Sequence, residues 1–141
     1  MSTGAAIAVA LTFVWLGMVL AISFLEAPLK FRAPGVTLQI GLGIGRLVFR
    51  ALNTVEVAFA LVIGAIVVTG PTPVAVTVAI AAAVAALAVQ LVAVRPALTR
   101  RADQVLAGSD GPRSRAHYAY VALEAVKVVG LVVAGILLVS G

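Results

Sequence analysis

Apolar residues along this chain fall in four long blocks, at about 5–25, 47–68, 74–94 and 118–139, and polar residues collect between them. Each block is close to the ~20 residues with which an α-helix crosses a ~30 Å hydrocarbon core. Lipid offers a backbone no hydrogen bonds, so blocks this long and this poor in charge are satisfied as helices. The pattern predicts an all-α, integral membrane four-helix bundle, a single transmembrane domain over 1–141.

The connections differ in kind. Blocks two and three are joined by Thr69-Gly70-Pro71-Thr72-Pro73, an uncharged turn whose glycine and prolines stop one helix and start the next. The other two connections hold the charge. Lys30, Arg32, Arg46 and Arg50 lie around the first; Arg95, Arg100, Arg101, Arg113 and Arg115 lie in the second, with Lys127 just inside block four at the same end. All ten basic residues therefore sit at one face, and the five acidic residues sit there too. Short loops rich in Lys and Arg stay cytoplasmic. The expectation is a multi-pass protein of the cell inner (plasma) membrane with both termini on the non-cytoplasmic side.

Two stretches are more than plain loop. From 34 to 50, apolar residues alternate with Gln39, Arg46 and the glycines Gly41, Gly43 and Gly45, which reads as an amphipathic interfacial segment or as the tilted start of helix two. The Gly-x-Gly-x-Gly run lacks the preceding strand and the spacing of a phosphate-binding fingerprint. Pro96 is expected to end helix three, leaving 95–117 as a cytoplasmic loop.

Composition supports the membrane reading: 63% of residues are hydrophobic and 11% charged, against about 45–50% and 25% in a soluble domain. The first block has no basic residue before it and no small-residue cleavage site after it, so it reads as a retained helix. The net charge of +5 lies at helix ends beside apolar spans, which points to anionic lipid head groups as partners and not to nucleic acid. Cysteine is absent. With one histidine and two methionines besides, the ligands for copper or zinc are too few, and no metal or cofactor is expected.

An ionisable residue within a transmembrane span costs about 2.5–3.5 kcal/mol at the centre on insertion scales, so its presence calls for a reason. Glu56 and Glu124 each lie about two turns inside their helices. On helix four His117, Tyr120, Glu124 and Lys127 recur at helical spacing; on helix two Arg46, Arg50, Asn53 and Glu56 do so with a slight drift. Thr12, Trp15, Ser23 and Glu26 share a face of helix one, and Gln90 adds an amide from helix three. Stripes facing the bundle axis would line a polar cavity open to the cytoplasm. The candidate ligand-binding residues are Glu26, Arg46, Arg50, Asn53, Glu56, Gln90, Arg95, His117, Tyr120, Glu124 and Lys127; no catalytic residue is assigned. In the structural alternative Glu124 pairs with Lys127 and Glu56 with an arginine, and the cluster only fixes helix register. Lone His117 at a helix start reads as a head-group contact, Tyr118 and Tyr120 as interfacial anchors, and Trp15 as packing or cavity wall. Gly64, Gly130, Gly135 and the alanines of 79–88 would permit close helix approach.

Trp15-Leu16-Gly17, the run from Ala27 to Arg32, Val89-Gln90, Arg95-Pro96-Ala97-Leu98 and His117 resemble the transmembrane protein 205-like family of small four-helix membrane proteins. That resemblance spans most of the chain and implies a membrane four-helix bundle with no settled activity. Four-helix protoporphyrinogen oxidase and copper-resistance families of similar size would call for a histidine in the first helix, which is missing here. The function expected is binding or transport of a small anionic or amphiphilic ligand through the cytoplasm-facing cavity. The alternatives are a structural or accessory subunit of a larger membrane complex, and a membrane enzyme acting on a lipid or quinone head group. A homo-oligomer is compatible with the first two.

Overall fold

Each apolar block becomes a helix longer than the block itself. The computed structural model describes residues 1–108 and 115–141, and every regular element among them is helical. The helices are α1 (Thr3–Lys30), α2 (Leu38–Thr69), α3 (Val74–Leu106) and α4 (Arg115–Ser140), all four long and apolar enough to cross a membrane. Ser2 and Thr37 cap α1 and α2 by accepting from the amides of Ala5 and Ile40, which satisfies donors that have no partner inside the helix. At the uncharged end, the Gly70 amide bonds back to the Ile66 carbonyl and Pro73 opens α3.

The extra length lies at the charged end. Helix α2 begins at Leu38, so 38–50 forms the start of that helix and no separate surface segment. Helix α3 does not end at Pro96 but runs on to Leu106, which corrects the expectation of a loop from 95 onward. The remainder of that loop, 109–114, lies outside the described residues.

The reason is the same in α1 and α3. A proline ring collides with the carbonyl four residues earlier and offers no N–H. Before Pro28 the chain forms the π segment Leu20–Glu26, and before Pro96 the π segment Gln90–Val94. Five-residue bonds, Ala27 N–H to Ile22 O and Arg95 N–H to Gln90 O, widen the turn and take the clashing carbonyl out of the way.

The apolar core fills the half of the bundle nearer the uncharged end. Trp15 and Val19 of α1, Ile63 of α2, Ile80, Ala83 and Leu87 of α3, and Leu131 and Ala134 of α4 meet there. Outward positions such as Leu61, Val92 and Val129 are apolar as well, the arrangement for a helix bundle solvated by lipid.

Close approach is confined to particular glycines. A Cβ on Gly130 would lie 3.0 Å from the Ala79 carbonyl oxygen of α3. Gly41 and Gly45, one turn apart and both buried, receive the Phe31 ring and the Lys30 ammonium. The glycine run is thus a docking face for the end of α1. Gly135 receives Phe13, whereas Gly64 has nothing near its Cβ position and plays no such part. Gly130→Val is expected to destabilise the bundle by about 1–3 kcal/mol through overpacking, read as a lower unfolding midpoint in detergent, while Gly64→Ala leaves it unchanged or slightly raised.

Candidate functional site

Between the apolar core and the charged end, seven hydrogen-bonding side chains from four helices close on one another. Lys127 is fully buried, and its ammonium donates to Glu56 Oε2 (2.5 Å), to Gln90 Oε1 (2.8 Å) and to Glu124 Oε1 at 2.6 Å. Those three bonds use all three of its donors. The Trp15 indole donates to Glu56 Oε2 at 2.7 Å and Asn53 Nδ2 to Glu56 Oε1 at 3.0 Å. Gln90 Nε2 donates to Glu124 Oε1 at 3.1 Å and to the Tyr120 carbonyl at 3.3 Å. The Ser23 hydroxyl lies 2.5 Å from Glu124 Oε2.

Helical geometry assembles this set. Glu124 and Lys127 lie three residues apart on α4, as do Asn53 and Glu56 on α2, so each pair shares a face. Gln90 opens the π segment of α3 and Ser23 lies within that of α1. The two widened turns are therefore where α1 and α3 hand polar side chains to α4. Satisfied partners are what makes such burial tolerable, because an unpaired ion in a water-free interior is severely disfavoured.

A second layer lies toward the charged end. The Arg95 guanidinium donates to Asn53 Oδ1 at 3.0 Å and sits 4.9 Å from the Tyr120 ring centre and 5.4 Å from that of Phe49. Lys30 Nζ lies 5.8 Å from the same Phe49 ring and 5.6 Å from that of Phe31. Phe49 and Tyr120 meet edge to face. Cations over aromatic faces are attracted by the ring quadrupole. Lys30 is held 3.8 Å from Glu26, whereas among the described residues no carboxylate comes within ion-pair reach of Arg95. The Tyr120 hydroxyl is buried and, among the described residues, has no hydrogen-bond partner.

Asn53, Glu56, Gln90, Arg95, Tyr120, Glu124 and Lys127 are thus brought together as their spacing implied, and Glu26 stands beside them through Lys30. Other expectations need correction. Arg46 and Arg50 are exposed, because the buried face of α2 runs through Gly45, Asn53 and Glu56 and places the arginines to one side; Arg46 pairs instead with Asp103 of the α3 extension. Glu56 is neutralised by Lys127 and not by an arginine. Tyr120 is buried while Tyr118 is exposed, so only the latter suits an interfacial anchor. His117 is half-buried, beside the Tyr118 ring. Where an open cavity was expected, Glu56, Gln90, Glu124 and Lys127 are at most 1% exposed, and the walls fill the space themselves.

The α1 face shared by Thr12, Trp15, Ser23 and Glu26 supplies two partners beyond the candidate residues, Trp15 and Ser23, and the second layer adds Lys30 and Phe49. A buried indole N–H requires an acceptor, so Trp15 carried a usable signal. Phe49 carried none, being one apolar residue among many.

No protein-family model, characterised protein or solved structure matches this chain.

Proposed function

We propose that the protein binds, and through binding moves, a small anionic or amphiphilic ligand at the cytoplasmic end of the bundle. The anionic group is received by Arg95 and Lys30, and an apolar portion by Phe49 and Tyr120. One observation carries this reading: Arg95, part-buried between two aromatic rings, has no carboxylate partner among the described residues, while both carboxylates deeper in the bundle are already ion-paired with Lys127. A guanidinium held in that way offers paired N–H donors to a phosphate or carboxylate. On this reading the buried network is the floor of the site and Asn53 links the two layers. The resemblance to the transmembrane protein 205-like family is retained as part of the proposal, as is placement in the inner membrane.

Purified protein in lipid nanodiscs, titrated with a fatty-acid anion and separately with inorganic phosphate, tests it. Arg95→Gln is expected to weaken binding about 10-fold or more, the equivalent of a charge-assisted bond of about 1.5–3 kcal/mol, with helix content unchanged. If wild type and Arg95→Gln bind both probes equally, or neither binds to wild type, the reading fails.

The orientation is open to a separate measurement. Because the chain has no cysteine, single cysteines at Ser2, Thr72 or Ala107 report on one position each. A membrane-impermeant maleimide applied to intact cells is expected to label the first two and to spare the third.

A further inference from the structure

The hydrogen bonds around the two buried carboxylates are of different kinds, and that difference distinguishes their chemistry. Every partner of Glu56 is a donor with no alternative. The Trp15 indole N–H can only donate, as can the Lys127 ammonium. The Asn53 amide is fixed with its NH2 toward Glu56, because its oxygen already accepts from Arg95. A proton on either oxygen of Glu56 would meet a donor head-on. Glu56 is built to be a carboxylate.

Glu124 is built otherwise. Its Oε1 accepts from Lys127 and from Gln90, and the Gln90 amide is fixed in turn by Lys127 donating to its oxygen. Its Oε2 faces the Ser23 hydroxyl, which donates or accepts by rotation of a single bond. Of the four carboxylate oxygens, this is the one whose partner can receive a hydrogen bond.

Charge counting leads to the same atom. Two carboxylates and one ammonium leave a net −1 among side chains that are at most 1% exposed, where an uncompensated charge is strongly disfavoured. Two further charged groups of the other helices are Glu26 of α1, held with Lys30, and Arg95 of α3, which bonds to the same Asn53 amide as Glu56. On α4 Tyr120 lies one turn away and His117 nearly two. One proton on the pair makes the centre neutral.

We propose that the bundle holds an exchangeable proton on Glu124 Oε2, donated to Ser23 Oγ, with Glu56 the permanent counter-ion of Lys127. On release the proton passes to water, Glu124 becomes a carboxylate, and the Ser23 hydroxyl turns from acceptor to donor. Ser23 is part-exposed and lies in the π segment of α1, three residues from Glu26. Loss of the proton restores the net negative charge at the contact of α1 with α4, so occupancy of the site is tied to how firmly those helices hold together. The proposal stands apart from the anion site at Arg95.

Infrared spectroscopy of the full chain in lipid, with pH steps and hydrogen–deuterium exchange, reads the carbonyl stretch of a protonated buried carboxyl. Wild type is expected to show such a band. Glu124→Gln is expected to abolish it with the fold intact. Ser23→Ala is expected to shift it to higher frequency by removing its acceptor, and Trp15→Phe to leave it in place. A wild type with no band at any pH, a band that survives in Glu124→Gln, or a band moved by Trp15→Phe and not by Ser23→Ala overturns the assignment.

Discussion

Replacement of Lys127 by methionine is expected to be the most damaging single change in this protein, lowering the stability of the bundle by about 3–5 kcal/mol. The ammonium is the hub of the network, bonded to two carboxylates and one amide with no exposure to solvent. Methionine matches its length and supplies none of those bonds. Glu56, and Glu124 whenever its proton is off, then remain in an apolar interior without a cation, and Gln90 loses the donor that sets its orientation. Unfolding titrations in mild detergent, followed by helix content, measure the loss. Adding Glu56→Gln to Lys127→Met removes one uncompensated charge and is expected to recover part of the stability, a coupling that independent sites would not show. If Lys127→Met unfolds like wild type, the network does not contribute in the way its geometry implies.

Glu56→Gln and Glu124→Gln are expected to differ strongly, although the substitution is the same. At Glu56 the new NH2 group must face either the Asn53 amide or the indole and ammonium, so donor meets donor. Each buried donor left unpaired costs about 1–3 kcal/mol. At Glu124 the amide oxygen takes the place of Oε1, before Lys127 and Gln90, and the NH2 takes that of Oε2, before the Ser23 hydroxyl. All partners there are kept, and the change is expected to stay within about 1 kcal/mol. Thermal unfolding of the two variants side by side decides the matter, and equal losses would show that the polarity of the hydrogen bonds does not govern the site.

Both predictions rest on residues that could be picked out of the chain unaided. Glu56, Glu124 and Lys127 are conspicuous because charge within an apolar block is disfavoured unless something compensates it. The three-residue spacings that pair Asn53 with Glu56 and Glu124 with Lys127 need nothing but the helical period. What the period did not supply was phase across helices. Arg46 and Arg50 fit the α2 stripe about as well as Phe49 does, yet Gly41 and Gly45 set which face meets α1, and that choice turns the arginines outward and Phe49 inward. The continuation of α3 past Pro96 was hidden for a related reason. Proline ends a regular α-turn, and whether a π turn relieves the clash depends on what the widened turn gains. Here it gains a place for Gln90 in the network.

By itself, then, the sequence determined four apolar spans, the confinement of charge to one end, and the identity of the buried ions, because hydropathy and helix periodicity act locally along the chain. Only the tertiary structure decided which carboxylate meets which donor, that Lys127 serves both, that Trp15 and Ser23 complete the set, and that the space between the stripes is closed. Apart from the three-residue pairs within α2 and α4, those are contacts between residues 34 to 101 positions apart, set by how four helices rotate against one another. Small residues at the interfaces and two π turns fix those rotations, and no local pattern in the chain records them.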